Sequence, residues 1–342
     1  MQQRIPSSAP VIPPLPQGTS SRQWSVMIPA YNCSVYLAEA IASVLVQDPG
    51  PEVMQIEVVD DCSTDADVEA LVRTVGKGRV SYFRQNKNVG SLRNFETCIN
   101  RARGDYIHLL HGDDRVKLGY YSRITRLFDE FPDAGAAYSA WDNIDHKGNI
   151  THPSRIEADD PCILDNWLHK LAECPRIQYV AITVKRRVYE HLGSFYGVTY
   201  GEDWEMWARI AKFYPTAYTP QILAEYRQHK NSITWQSYQT GQNLRDIKKV
   251  TSTIVKYLPL KDQPRMMKKA RKNYVYWILD DTYLTWHREK DNKLAYKQMR
   301  EMLRIYNDGY VLVKMVVLVT KVITEPCWKY INLHNKSLES HA

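Results

Sequence analysis

Short runs of apolar residues alternate with amphipathic stretches from Trp24 onward. The first run, 25–29, predicts a buried strand. After a turn, apolar positions recur at helical spacing, and Ser34 stands where the N-cap of that helix would lie. Residues 55–59 predict a second strand. This order of strand, helix and strand is typical of βαβ units and a largely parallel sheet.

The alternation of strand and helix patterns continues through residue 140 and stops beyond about Trp235. It predicts helices at 65–75, 94–102 and 120–131, and strands at 80–83, 106–110 and 136–140. Gly104 is placed as the stop of the helix at 94–102, and Pro132 ends the helix at 120–131. Beyond Trp235 the chain consists of helical segments rich in Lys, Arg, Tyr and Trp. We therefore predict an α/β domain over 24–235 and a helical region over 236–342.

Neither end of this sequence is expected to be a targeting or membrane-spanning segment. The first 23 residues contain prolines at 6, 10, 13, 14 and 16 and lack the apolar core of a secretory signal, so they predict a disordered tail. The apolar stretch Tyr310–Ile323 is interrupted by Lys314 and Lys321. It is also shorter than the roughly 20 residues that cross a bilayer. We do not expect it to span a membrane.

Composition narrows the class of partner. Of the 342 residues, 44% are hydrophobic and 24% charged, which is typical of a folded globular protein. A formal charge of +7 suits phosphate-bearing partners, but no arginine-rich tract, zinc-finger spacing or RNA-binding aromatic motif accompanies it, so no nucleic-acid binding is expected. The six cysteines form no CxxC pair. Reduced thiols in the cytoplasm are the expected state.

Two pairs of aspartates stand directly after predicted strands. Asp60 and Asp61 end one strand, and Asp113 and Asp114 follow another. Ligands of open α/β sheets bind beyond the carboxyl ends of the strands. There, one or two carboxylates can hold a divalent cation against phosphate oxygens. Taken alone, such a pair is equally typical of a solvated turn or a helix cap.

Four separated segments resemble family 2 glycosyltransferases in the right order. They are VMIPAYNCSVYLAEAIASVLVQ, IEVVDDCSTD, LLHGDD and TYGEDWEMWARI, and the resemblance covers about Trp24 to Ser232. It implies the GT-A fold of nucleotide-diphospho-sugar transferases, a Rossmann-like, mostly parallel α/β sheet flanked by helices, here with an α-helical C-terminal region. It further implies inverting transfer of a sugar from a nucleotide-sugar donor, with UDP favoured over dTDP as carrier, to a hydroxyl of a glycan or lipid-linked acceptor. Such reactions belong to envelope or surface polysaccharide synthesis.

The resemblance also assigns the chemical roles. Asp113 matches the metal-binding acid of the DxD motif and would hold Mg2+ or Mn2+, whereas His111 stands where the first Asp often lies. Asp203 matches the general base, and Glu202 is its alternative because alignments at this turn slip by one. A carboxylate suits this role since burial raises its pKa toward neutrality.

The remaining matched positions concern the donor. Asp61 would accept a hydrogen bond from the base imide, with Asp60 beside it in either a binding or a turn role. Arg93 would face the phosphates or form a surface salt bridge. Trp204 would floor the sugar site, although core packing is the alternative for tryptophans on this helix and is preferred for Trp207. The other donor-side positions are Pro29, Tyr31 and Asn32 near the base, Asp114 near Asp113, and Arg227 and His229 near the diphosphate or metal, with a structural role left open for His229.

Other hypotheses remain for the whole chain and its C-terminal region. The chain could be a catalytically silent nucleotide-sugar-binding subunit of a polysaccharide-synthesis complex. A dinucleotide-dependent oxidoreductase is excluded because PAYN replaces the GxGxxG that would follow the first strand. The basic C-terminal helices would either dock on an anionic membrane at its inner face or pack as a helical cap or homo-oligomer interface. Their basic residues are Lys248, Lys249, Lys256, Lys261, Arg265, Lys268, Lys269, Arg271 and Lys272.

Overall fold

The computed structural model describes residues 3–18 and 22–321. The chain divides into two compact units after Trp235. The division lies where the alternation of strands and helices stops in the sequence. Cys327 and the end of the apolar stretch, 322–323, lie outside the described residues.

A mixed, mostly parallel sheet forms the centre of the first unit. Its main path runs β3-β2-β1-β4-β9-β6-β10-β5. β1 pairs in parallel with β2 and β4, whereas β9 runs antiparallel between β4 and β6. The strands are β1 Arg22–Ala30, β2 Met54–Asp60, β3 Ser81–Arg84, β4 Gly104–Leu109, β5 Arg115–Val116, β6 Ala136–Ile144, β7 Ile150–Pro153, β8 Cys162–Ile163, β9 Ile182–Lys185 and β10 Thr216–Arg227.

Seven helices surround this sheet among the described residues. They are α1 Ser34–Leu45, α2 Val68–Gly76, α3 Ser91–Arg101, α4 Tyr120–Glu130, α5 Trp167–Glu173, α6 Arg186–Leu192 and α7 Glu202–Phe213. The predicted α/β class with helices flanking a mostly parallel sheet is confirmed. β1 is buried from Trp24 to Ala30 because β2 and β4 pair with its two edges and helices α1 and α3 pack against it.

Two local predictions about helix ends were wrong. Cys33, not Ser34, is the N-cap of α1, and the carboxylate of Asp65 accepts from the Ser34 amide at 2.9 Å. The cap therefore comes from a residue distant in sequence. Gly104 does not stop a helix but begins β4, where a Cβ would lie 2.3 Å from the Trp24 carbonyl carbon. Close approach of two backbones, rather than a helix end, explains that glycine.

The proline-rich N-terminus differs from the disordered tail predicted for residues 1–23. Residues 3–17, which we call the N-terminal strap, lie along the first unit with Ile12 only 1% exposed. The carbonyls of Pro6 and Pro10 accept from the amides of Gly197 and Ser194, both at 2.9 Å. Proline has a preset φ and no N–H to satisfy, so ordering such a segment costs little entropy and leaves its carbonyls available.

The second unit is helical among its described residues. It contains α9 Gln242–Ile254, α10 Gln263–Glu289, α11 Asn292–Leu303 and a helix at 309–321, while α8, Ile233–Thr240, spans the division. Tyr238 donates to Thr282 at 3.0 Å inside this unit. Leu312, Val313 and Val316 are at least half exposed on the helix at 309–321. None of the described helices combines the length and the apolar character that crossing a membrane requires.

Candidate active site

The loop LLHGDD, residues 109–114, continues the hydrogen-bonding ladder of β4 along β1. We call it the metal loop because it carries Asp113, the predicted metal-binding acid. The Leu110 amide donates to the Met27 carbonyl at 3.0 Å, and the Gly112 amide donates to the Pro29 carbonyl at 3.1 Å. A Cβ at Gly112 would lie 2.8 Å from Cys33 Sγ, so only glycine fits this close approach. The loop therefore delivers its two aspartates to the carboxyl end of the central strand.

His111, Asp113 and Asp114 form a cluster whose possible ligand atoms lie within 4.8 Å of one another. His111 Nε2 is buried and has no hydrogen-bond partner among the described residues. Burial lowers the pKa of His111, so its ring is neutral and keeps a lone pair. One imidazole nitrogen with two carboxylates is a donor set that suits Mn2+ and accommodates Mg2+ less readily. These residues fit a divalent cation.

The two aspartates of this loop differ in environment. Asp113 keeps 24% of its side chain exposed, and its Oδ2 lies 2.9 Å from His229 Nε2. Burial raises the pKa of Asp113, but the hydrogen bond with His229 and the proximity of the two imidazole rings outweigh it and lower that pKa. Asp114 is buried, and its Oδ1 accepts from the Arg227 amide at 2.8 Å. Burial, with the charge of Asp113, raises the pKa of Asp114 well above its usual value.

Arg227 braces the metal-loop backbone and does not point into open space. Its guanidinium is 1% exposed and donates to the Asp113 carbonyl at 2.8 Å and to Glu39 Oε2 at 2.8 Å. It also lies over the ring of Tyr36, 4.6 Å from its centroid. This arrangement differs from the predicted diphosphate contact, because the buried guanidinium is already satisfied by protein oxygens. Its role here is to hold Asp113 in place.

The aspartate pair after β2 is held by protein donors. Asp60 is fully buried, and its carboxylate accepts from the amide and hydroxyl of Ser63, from Tyr82 at 2.8 Å and from Arg84 at 2.5 Å. These contacts fasten the loop after β2 to β3. They match the turn role for Asp60 rather than the binding role.

Asp61 fastens a second loop. Its two carboxylate oxygens accept from the amides of Val89 and Gly90 at 2.7 and 2.9 Å. Burial raises the pKa of Asp61, and those two hydrogen bonds and the charge of Arg4 oppose the rise. Each oxygen has a further lone pair, so the carboxylate keeps capacity for about two more donors.

The three residues predicted to lie near the base stand at the end of β1 and in the turn that follows it. Pro29 is buried in β1, where its carbonyl positions the metal loop as described above. Asn32 has a left-handed φ of 49° and accepts from the Thr64 amide at 2.8 Å, which joins it to the loop after β2. Tyr31 is 50% exposed and offers an open aromatic face. Of these three residues, Tyr31 is the one whose side chain is available to stack on a base.

Arg93 forms the salt bridge that was the alternative to phosphate binding. Its Nη1 lies 2.6 Å from Glu96 Oε2, and its Nε donates to the Gln3 carbonyl at 2.9 Å. Its charge is therefore balanced by a neighbour on the same helix.

The N-terminal turn of α7 carries the acids of the GEDW segment. Burial raises the pKa of Asp203 to about 6. Glu202 is 8% exposed, and its Oε1 accepts from the Tyr179 hydroxyl at 3.3 Å. A carboxylate with a pKa near 6 is ionised at neutral pH yet basic enough to accept a proton.

Tyr179 connects the metal loop with α7. Its ring centroid lies 4.3 Å from that of His111, while its hydroxyl contacts Glu202. The charges of Glu202 and Asp203 both raise the pKa of Tyr179 after the larger effect of burial. Sequence reasoning missed Tyr179 and the metal-ligand capacity of His111. Tyr179 stands in no recognisable motif, whereas His111 could have been found from its place in LLHGDD.

Trp204 belongs to the core and not to a sugar-binding surface. It is 1% exposed, and its indole N–H donates to the Leu171 carbonyl of α5. The predicted sugar-floor role is therefore wrong, because α5 covers the ring. Trp207 is 3% exposed and packs edge-on against Tyr179 at 5.6 Å, as the preferred core interpretation predicted.

The fold and the acid-lined site are those of a glycosyltransferase of the GT-A type. Residues 25–193 match the family model described as Glycosyl transferase family 2, and the chain belongs to that family of glycosyltransferases. The predicted family is confirmed.

Relatives agree with this assignment. The chain is 27% identical over 220 residues to the putative teichuronic acid biosynthesis glycosyltransferase TuaG of Bacillus subtilis, covering 61% of this chain and 81% of TuaG. It is 25% identical over 256 residues to the uncharacterized protein MT1568 of Mycobacterium tuberculosis, covering 68% and 75% of the two chains. The crystal structure of S. aureus TarS 1–349 in complex with UDP-GlcNAc superposes with a TM-score of 0.62 at 12% identity, over 88% of this chain and 90% of that one. That likeness shows the shared fold.

Proposed function

We propose that the protein is a metal-dependent, inverting glycosyltransferase that moves a sugar from a UDP-sugar to an acceptor hydroxyl in envelope or surface polysaccharide synthesis. The observation that carries the proposal is the contact of Tyr179 with both His111 and Glu202. Tyr179 thereby links the cluster of His111, Asp113 and Asp114 to the acids of α7 through direct side-chain contacts. This contact would bring the proposed phosphate-holding site and the proposed proton acceptor into one region.

The donor half would be assembled around the carboxyl end of β1. Tyr31 would stack on the base, and Asp61 would accept from its imide N–H through a remaining lone pair. Asp113, Asp114 and His111 would hold Mn2+ or Mg2+, with His229 orienting Asp113. A bound cation would neutralise the charge that develops on the leaving diphosphate. The S. aureus TarS complex with UDP-GlcNAc supports UDP as the carrier.

Asp203 would act on the acceptor. Its carboxylate would accept the proton of the attacking hydroxyl as that oxygen bonds to the anomeric carbon on the face opposite the diphosphate. A single displacement of this kind inverts the anomeric configuration. Glu202 is the second candidate for this role, but its hydrogen bond from Tyr179 gives it a structural task. Its burial also leaves it less accessible to an acceptor.

The biological setting rests on the relatives and on the second unit. TuaG is named for teichuronic acid synthesis, and we infer a glycan or lipid-linked acceptor for this chain as well. A cytoplasmic enzyme with its second unit at the inner face of an anionic membrane would meet such an acceptor. The basic residues of α9 and α10 and the exposed valines at 313 and 316 support that placement. Pairing of two chains through these helices is the alternative use of the same surface.

A screen of nucleotide sugars for hydrolysis with Mn2+ tests the proposal. We expect the wild-type chain to release UDP from one donor class and Asp113→Ala to release it at least about a hundredfold more slowly. Asp105→Ala is a matched control, because Asp105 is exposed at the opposite end of β4 from the metal loop. Hydrolysis by Asp113→Ala at the wild-type rate would refute the metal assignment. Tight UDP binding without turnover would instead identify a catalytically silent subunit.

A further inference from the structure

The N-terminal strap connects two loops that flank the proposed site. Toward its C-terminal end it is fastened to the first unit by Arg186, which donates to the Pro13 carbonyl at 3.3 Å. In its middle, Pro10 and Pro6 accept from Ser194 and Gly197, which lie in the loop that leads into α7. At its beginning, the Gln3 carbonyl accepts from Arg93 of α3 at 2.9 Å. The N-terminal end of the strap therefore lies beside the loop 88–90.

Arg4 is the strap residue that contacts this loop. Its Nη1 donates to the Asn88 carbonyl at 3.0 Å, and its Nη2 donates to Asn88 Oδ1 at 2.5 Å. The guanidinium also lies against Gly90, 3.4 Å from the position a Cβ would occupy there. Two bonds from one planar fork fix both the backbone and the side chain of Asn88.

Asn88 passes this contact on to Asp61. Its Nδ2 donates to the Asp61 carbonyl at 3.1 Å, and the next two residues donate their amides to the Asp61 carboxylate. Arg4, Asn88 and Asp61 thus form one connected series. The positive charge of Arg4 is one of the influences that favour the ionised form of Asp61 against its burial.

We propose that Arg4 is a positioning residue of the nucleotide half of the site, which acts through Asn88 to hold the loop 88–90 against Asp61. The inference rests on the proposed function, since it assigns Asp61 to the base. It makes the strap a part of the donor-binding apparatus rather than a disordered tail. We expect Arg4 to affect donor affinity and not the chemical step, because its two hydrogen bonds go to Asn88, which contacts Asp61.

The test is titration calorimetry of UDP in the presence of Mn2+ against four full-length chains: wild type, Arg4→Ala, Asn88→Ala and the double variant. We expect Arg4→Ala to bind UDP about tenfold more weakly, as losing charge-assisted hydrogen bonds predicts. Because Arg4 acts through Asn88, the double variant should bind no more weakly than Asn88→Ala alone. With a turned-over donor, KM should rise while kcat stays within about twofold.

Arg73→Ala is the matched control, since Arg73 is an exposed arginine of α2 whose salt bridge is with Glu69. It should leave UDP affinity unchanged, and all variants should unfold at the wild-type temperature. The inference would be overturned if Arg4→Ala bound UDP as tightly as the wild type or more tightly. It would also be overturned if the losses of affinity added in the double variant. Each of these outcomes would leave the proposed function intact. If the wild-type chain binds no nucleoside diphosphate at all, the proposed function itself fails, and the role of Arg4 with it.

Discussion

The two aspartate pairs of this chain occupy equivalent places, each at the carboxyl end of a strand next to β1, yet their surroundings differ. Asp60 is surrounded by a serine, a tyrosine and an arginine, and Asp61 by two backbone amides. The carboxylates of Asp113 and Asp114 accept from fewer protein donors. Beside them lies His111 Nε2, which is buried and has no hydrogen-bond partner among the described residues. Protein donors fill the accepting capacity of Asp60 and part of that of Asp61, whereas the pair at 113 and 114 retains ligand capacity.

This difference shows what separates a structural acid pair from a metal-binding one. An ionised carboxylate accepts about four hydrogen bonds, so a carboxylate with four donors has little left for a cation. The number of donors around each acid decides the role, and that number is set by residues far away in sequence. Four variants or conditions test the contrast.

Asp60→Ala should cause the largest loss, in stability. Removing a buried carboxylate leaves Arg84, Tyr82 and Ser63 without their acceptor, which costs roughly 3–5 kcal/mol. Urea denaturation should show this loss as a lower midpoint at an unchanged slope. Addition of Mn2+ should not restore it. A stable Asp60→Ala chain that had lost metal binding would reverse the contrast between the pairs.

Asp113→Ala should have the complementary effect, on catalysis. Transfer should fall by about 2.7–4 kcal/mol of barrier, or roughly 10²–10³-fold, as for loss of a preorganised electrostatic group. Mn2+ should raise the melting temperature of the wild type and not of this variant, because only the native cluster binds the ion. The fold should stay intact, with Asp105→Ala as control. Equal thermal shifts in both chains would contradict the assignment.

The rate of transfer should depend on pH, because Asp203, the proposed base, must be ionised to accept a proton. A pKa of about 6 means that Asp203 takes up a proton as pH falls through that value and can no longer act as a base. At pH 5 the rate should therefore be about tenfold below its plateau.

Asp203→Asn supplies the control for this pH profile. Its residual activity should lack the step near pH 6, whereas Glu202→Gln should keep it. Because the folded-state pKa is raised from 3.8 to about 6, the wild type should lose stability relative to Asp203→Asn as pH rises between those values. A step that vanishes in Glu202→Gln instead would move the base by one residue.

Arg93→Ala should have the smallest effect. Its salt bridge with Glu96 joins two side chains of one helix, 15% and 18% exposed, and pairs at this helical spacing contribute about 0.2–0.5 kcal/mol. Donor KM should change by less than about threefold, since the charge of Arg93 is already balanced. Steady-state kinetics measure this directly, with Glu96→Ala beside it. A tenfold rise in KM for Arg93→Ala alone would restore its predicted phosphate contact.

Much of the fold was predictable because its elements are local patterns. The apolar periodicities of β1, α1, β2 and α4 stand in the sequence, and the structure has these elements within a few residues of the predicted bounds. β9, by contrast, was not predicted. It is four residues long and runs antiparallel between β4 and β6, so its strand state depends on pairing with distant residues.

The sequence by itself determined the family, the order of the βαβ units and the acids at strand and helix ends, because these depend on spacing and residue type along the chain. Only the tertiary structure decided how much binding capacity each side chain keeps. It buried Trp204 under α5, turned Arg227 onto the metal loop and brought Tyr179 against His111. It also placed the N-terminal strap, with Arg4, along the first unit. These outcomes depend on contacts between segments distant in sequence, which local patterning does not encode.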